Sequence, residues 1–243
     1  NNILRNGLDG LKLRGVTNVI VRGNVIHGMN LAGISLGGDI STGASNIIVE
    51  KNLIYDTVDG ITVKDQSGGG DIGANGVTIR NNILHSNRTV SDFMDNAYQA
   101  YIFIGGAPVT DVLILNNLVY GVTHKSNLYF KNTTPSGSAV KNNVWSRTVA
   151  DDDLVRYSAG ALSIITVDNN LYDFPTVSGT LIEVDGTRYD TLSSFRDDYS
   201  EHEQNSLEGS PELQDPGTGD FTPTPDSSLV IDTGSAVPGI VDD

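Results

Sequence analysis

The sequence predicts an all-β solenoid of about seven stacked rungs, and two observations predict it. The first is a recurring Asn placed three positions after an apolar residue: Val21 to Asn24, Val49 to Asn52, Ile79 to Asn82, Ile114 to Asn117, Val140 to Asn143 and Val167 to Asn170. The second is an apolar pair directly after the Asn, such as Val25-Ile26, Leu53-Ile54, Ile83-Leu84 or Leu118-Val119. Spacings of about 22 to 35 residues, with short β runs and Gly/Asn turns, describe coils that bury their apolar faces by stacking on one another.

The elements can be placed in order from that repeat. Asn2 and Ile3-Leu4 open the pattern at the N-terminus, and each later Asn marks the next corner. The Asn amide both donates and accepts, so it can bond the same amide one rung along, and Asn tolerates the left-handed backbone that a corner needs. Asn24, Asn52, Asn82, Asn117 and Asn143 are therefore expected in one inward-facing ladder. After the corner comes a second strand: GLKLRG at 10–15, GISLGG at 33–38, GITVKD at 60–65, AYIFIGG at 100–106 and NLYFKN at 127–132. Alternation sends Leu11 and Leu13, Ile34 and Leu36, Ile61 and Val63, Ile102 and Ile104, and Leu128 and Phe130 inward. Two outward columns remain. One holds Lys12, Ser35, Thr62, Tyr101 and Tyr129, the other Arg14, Gly37, Lys64, Phe103 and Lys131. Cations and aromatic rings thus gather on one face of a chain with only 15 basic residues.

Composition narrows the partners. A net charge of −15 argues against nucleic acid and acidic membrane surfaces, because phosphate binding needs clustered Lys and Arg. No apolar run is long enough to span a bilayer, and without cysteine there is neither a disulfide framework nor a thiolate metal site. The chain starts at Asn1 with no charged-then-apolar leader, which reads as a mature or truncated product. No phosphate loop, HExxH, GxSxG or EF-hand loop is present.

Units such as NVIVRGNVIHGMNLAGISL resemble the right-handed parallel β-helix repeats of the pectate lyase superfamily, over residues 1–185. That resemblance implies a single-stranded right-handed parallel β-helix exported from a bacterium. It also implies a polysaccharide partner, shared by a group that includes lyases, hydrolases, epimerases, tailspikes and adhesins. Around Lys64, ITVKD followed by VTIRNN looks like the lysine strand of the alginate and chondroitin lyases, with Tyr101 and Phe103 where that family places an Arg. Around Lys131, NLYFKN resembles the base strand of a calcium-dependent pectate lyase family, whose metal is held by Asp residues on preceding coils; Asp59, Asp92 and Asp95 stand in that role. Such lyases neutralise the sugar's C6 carboxylate and remove the C5 proton, and a lysine serves as base where neighbouring positive charge lowers its pKa. The resemblance therefore implies Lys64 and Lys131 as catalytic candidates, Lys12, Arg14, Tyr101, Phe103 and Tyr129 as sugar contacts, and Ca2+ as cofactor.

Other readings stay open. A glycoside hydrolase needs two carboxyl groups facing one groove, and Asp39, Asp65 and Asp71 are placed for it. A non-catalytic carbohydrate-binding solenoid needs only the aromatic column. Arg22, Glu50 and Arg80 read as a ladder of exposed ion pairs, each contributing little. A further column after the corner holds Arg5, His27, Tyr55, His85, Tyr120, Ser146 and Asp173. His124 and His202 show no ligand pattern. From residue 186 to 243 the periodicity stops, and this polar, Pro- and Asp-rich segment is expected to cover the open end of the stack.

Overall fold

The computed structural model describes residues 2–37, 42–64, 73–86, 100–106, 108–122, 126–131, 136–147, 153–174, 179–229 and 234. Each coil gives one strand to each of three parallel sheets. Val25–His27 joins sheet A, Ala32–Gly37 sheet B and Ala44–Glu50 sheet C; then Leu53–Tyr55, Asp59–Val63 and Ala74–Arg80 repeat the circuit. Among the described residues, sheets A and B reach eight strands and sheet C six. Equivalent residues pair one coil apart, as in Val25 with Leu53 and Leu53 with Ile83, Ile34 with Ile61 and Ile61 with Ile102, and Val21 with Val49 and Val49 with Ile79. The chain is thus an all-β parallel β-solenoid.

Period-two alternation explains the core. Ile26, Ile54, Leu84, Val119 and Trp145 form the inward column of sheet A, while Ile61, Val63, Ile102, Ile104, Leu128 and Phe130 do so in sheet B, all fully buried. Burying an aliphatic or aromatic side chain of this size stabilises by roughly 1.5–3 kcal/mol. No inward position can therefore take a charge without a partner.

The Asn ladder forms as expected at the corner between sheets C and A. Asn24 Nδ2 donates to Asn52 Oδ1, Asn52 to Asn82, Asn82 to Asn117 and Asn117 to Asn143, each at 3.0 Å. Asn143 donates to Asn170 at 3.1 Å. The backbone N–H of each Asn donates to the same oxygen, which secures a buried donor that the corner removes from its sheet. One expectation is corrected. The left-handed residue is not the ladder Asn but the one before it: Gly23, Lys51, Asn81, Asn116, Asn142 and Asn169, with φ between 53° and 66°. The corner reverses there, so the next residue returns to ordinary backbone with its side chain aimed inward.

Glu50 departs from expectation too. It is 1% exposed rather than open, and accepts from Arg22 Nε at 2.5 Å and Arg80 Nε at 2.6 Å. Burial alone would raise its pKa, but the two guanidiniums outweigh it and hold the carboxyl below its ordinary value. Removing both partners would leave this buried carboxylate uncompensated, which costs far more than breaking an exposed pair.

In sheet B, parallel winding stops at Val184, where Thr187–Tyr189 turns back antiparallel on Ile182–Val184. The helix Leu192–Asp198, N-capped by the Thr191 side chain, sets Leu192 and Phe195 into the core. Leu207–Glu208 then adds a last parallel strand to sheet A. Beyond it, the hairpin of Leu213–Asp215 and Asp220–Pro223 folds back along the outside of sheet A, where Phe221 packs 4.8 Å from His85 and 5.7 Å from Tyr120. The tail thus lies along a side of the solenoid.

Candidate functional site

Strand pairing fixes which residues share a column on the outer face of sheet B. Lys12 lies beside Ser35, Ser35 beside Thr62, Thr62 beside Phe103, Phe103 beside Tyr129, Tyr129 beside Arg156 and Arg156 beside Glu183. Arg14 lies beside Gly37, and the backbone bonds Lys64 N to Leu36 O at 3.0 Å, Gly105 N to Val63 O at 2.9 Å and Lys131 N to Ile104 O at 2.7 Å continue that column as Lys64, Gly105 and Lys131. The expected columns hold in every coil but one. In the strand Ala100–Ile104 the register moves by two residues, so Phe103 takes the place expected of Tyr101, and Gly105 that of Phe103.

Tyr101 does not face outwards. It pairs in register with Gly60 and Asn127, at the corner where Gly10 and Gly33 stand in earlier coils. A Cβ on Gly10, Gly33 or Gly60 would press on Ile26, Ile54 or Leu84, all core residues, so this column points inward. In the fourth coil the ring of Tyr101 occupies it, with no exposed surface; its hydroxyl donates to His85 O at 3.2 Å and accepts from Thr57 Oγ1 at 3.0 Å. Burial, relieved in part by the Thr57 hydrogen bond, lifts this phenol far above its ordinary pKa. Its expected part in sugar contact is withdrawn, since it reaches no solvent.

Phe103 faces out but is only 5% exposed, and Ser35 and Thr62 in the same column are buried as well. The face is closed over these three coils and opens on either side. At one end lie Lys12, ion-paired with Asp9 at 3.5 Å, and the exposed Arg14. At the other lie half-buried Tyr129 and exposed Lys131, with half-buried Lys64 two strands from Lys131. Two inter-strand spacings amount to about 9.6 Å. Gly105 between the lysines contributes no side chain, and the edge of the Phe103 ring lies 2.9 Å from where its Cβ would be. Phe103 meets Tyr129 edge to face at 5.8 Å, and the Arg156 guanidinium lies 4.6 Å above the Tyr129 ring.

Arg156 anchors a cluster that the alternation of the earlier strands did not single out. Its Nε donates to Glu183 Oε2 and lies 3.7 Å from Asp153 Oδ2, while Arg188 Nε reaches Asp153 Oδ1 at 3.2 Å. The signal was available in LVRYS, where Val155 and Tyr157 alternate inward around Arg156 as in the strands before it. Burial raises the Tyr129 phenol; Arg156 opposes that rise, while Glu183 and Asp185 reinforce it.

Asp59, the described member of the expected calcium set, has no exposed surface and sits at the buried corner between sheets A and B. A carboxylate in that position does not fit a metal shared with an external sugar. Asp92 and Asp95 lie outside the described residues, as do Asp39, Asp65, Asp71 and His124. Among the described residues, no three His, Asp or Glu side chains gather as a metal set.

A family model described as "Right handed beta helix region" matches residues 1–144. The chain belongs to that family. The parallel β-helix is therefore supported twice, by the matched sequence and by the parallel register of the three sheets. No match was found among curated proteins. The family fold is compatible with polysaccharide-active enzymes and with binding proteins alike, so the chemistry has to be argued from the face of sheet B.

Proposed function

We propose that this β-helix is an exported enzyme that cleaves a uronate-containing polysaccharide by β-elimination, with a lysine of sheet B as the base. The observation that supports this reading is the alignment of Lys64 and Lys131 in one outward column, on either side of Gly105 and beside Tyr129. An acidic sugar chain needs cations to approach a protein of net charge −15, and this column supplies them. One lysine amine takes the C5 proton; the C5–H electron pair forms the C4=C5 double bond as the C4–O bond breaks, and the leaving oxygen takes a proton from solvent. The other lysine stabilises the charge that develops on the C6 carboxylate. No step runs through calcium, because Asp59 does not fit that role.

The hydrolase reading is weaker at the described end of this face. Asp153 and Glu183 both serve Arg156, so neither is placed as a general acid or base.

The test is to incubate the protein with a panel of polyuronates, with and without calcium, measuring the ultraviolet absorbance of the unsaturated product alongside reducing ends. A lyase gives both signals, a hydrolase reducing ends alone and a binder neither. Replacing the base, Lys64→Ala or Lys131→Ala, lowers kcat by at least ~100-fold, whereas replacing the other lysine acts largely through KM. Full activity in both variants on a substrate that the wild type degrades would discard the lysine mechanism.

A further inference from the structure

The outer face of sheet A carries a second feature, unconnected with the lysine column. His27 and Tyr55 stack at 4.8 Å with an interplanar angle of 1°, and Tyr55 and His85 at 5.0 Å and 13°. Rings stacked along the solenoid axis turn their edges outward, so imidazole nitrogens and a phenol succeed one another at the strand spacing. Tyr120 continues the column on the next strand. Phe221, brought by the C-terminal hairpin, packs on both His85 and Tyr120 and holds the hairpin turn 216–219 over the sheet.

Between that turn and the sheet lies a cleft of about 650 Å³, lined on one side by Leu53, Tyr55, His85 and Tyr120. The volume is within the roughly 300–1,000 Å³ of small-ligand sites. Its chemistry differs from that of the rest of the surface. In a chain with 30 acidic and 15 basic residues, none of the described residues lining the cleft is Asp, Glu, Lys or Arg. His85 is the one imidazole among those described residues, and burial lowers its pKa, which favours the neutral ring. Gly121 and Gly219 line the cleft with φ of 63° and 90°, conformations that suit glycine, and a Cβ on either would meet nothing within 4 Å. Each therefore leaves open space where a side chain would otherwise intrude.

We propose that this cleft binds a neutral oligosaccharide along the solenoid axis, at a site separate from the cationic face of sheet B. Uncharged donors and acceptors on successive strands repeat at about 4.8 Å, close to the advance of one pyranose residue in an extended chain. The leucine and aromatic edges supply apolar contact, and phenol and imidazole meet the hydroxyls. An anionic chain is disfavoured here, because none of the described lining residues is a Lys or Arg that would offset its charge.

The experiment titrates cellohexaose, xylohexaose, mannohexaose and an oligogalacturonate into the protein, monitored by calorimetry and saturation-transfer NMR. At least one neutral hexaose binds, and the double variant Tyr55→Phe/Tyr120→Phe, which keeps the rings and removes two hydroxyls, weakens it about tenfold. Lys131→Ala leaves this binding unchanged and alters only the response to the uronate, so failure here is distinct from failure of the lyase reading. No binding of any neutral hexaose at millimolar concentration, or wild-type affinity in the double variant, overturns the proposal.

Discussion

At the scale of single residues, Glu203 shows how a polar ladder ends inside a protein. The amides from Asn24 to Asn170 donate in one direction, so their dipoles align and the last N–H is the positive end. Asn170 Nδ2 delivers it to the Glu203 carboxyl at 3.2 and 3.3 Å, where the Tyr172 and Ser206 hydroxyls also donate. Burial nevertheless dominates and raises the Glu203 pKa from 4.5 to about 7, against the opposing hydrogen bonds from Ser206, Tyr172 and Asn170. The folded protein then holds a proton that the unfolded chain releases. Stability from this group is complete below pH 4.5 and is lost as pH rises through about 7, by roughly 3 kcal/mol in all. His85 and His202, lowered by burial, act in the opposite sense, losing stability as pH falls below 6.5. The discriminating measurement is therefore the difference in unfolding free energy between wild type and Glu203→Gln from pH 5 to 8. The wild type loses stability relative to the variant as pH rises, and parallel curves would show that Glu203 does not titrate in this range.

At the scale of elements, the corner is the feature most legible in the sequence. An Asn ladder leaves a periodic trace because one side-chain type alone donates and accepts along the stack. Truncating an inner member, Asn117→Ala, removes the acceptor of Asn82 N and Nδ2 as well as three donor contacts, to Asn143 Oδ1, Ile79 O and Leu115 O. Chemical denaturation should show a loss of about 2–4 kcal/mol. Asn24→Ala, at a 9%-exposed position where water replaces lost partners, should lose less. The second strand was harder to read. AYIFI is apolar at five positions in succession, so alternation does not say which face turns in. The landmark in other coils is a corner glycine, Gly10, Gly33 or Gly60, and substitution of a full aromatic ring there in Tyr101 hides the equivalence. Lys64 and Lys131 were legible as one column because ITVKD and LYFKN keep strict alternation. The Phe221 contact was not, because a tail without period carries no information about which face it returns to.

At the scale of the molecule, the tertiary structure is built from contacts between residues one coil apart. Ladder neighbours are separated by 26 residues between Asn117 and Asn143 but by 35 between Asn82 and Asn117, yet their hydrogen bonds are equally short at 3.0 Å. The difference in coil length is absorbed outside the strands. Closing a loop costs free energy only as the logarithm of its length, so the longer coil is disfavoured by no more than about 0.3 kcal/mol. Six Gly/Ser residues inserted after Gly106, an exposed position between sheets B and C, should change unfolding free energy by less than about 0.5 kcal/mol. Deleting Thr78 from within a sheet C strand should instead prevent cooperative folding, because a one-residue slip turns the core face outward. Both are read from denaturation curves. The unequal coils thus give the protein two kinds of sequence under different constraint: a rigid metre of strands and ladder residues, and interludes whose length is nearly unregulated. New surface can accumulate in the interludes one coil at a time, without renegotiating the structure that carries it.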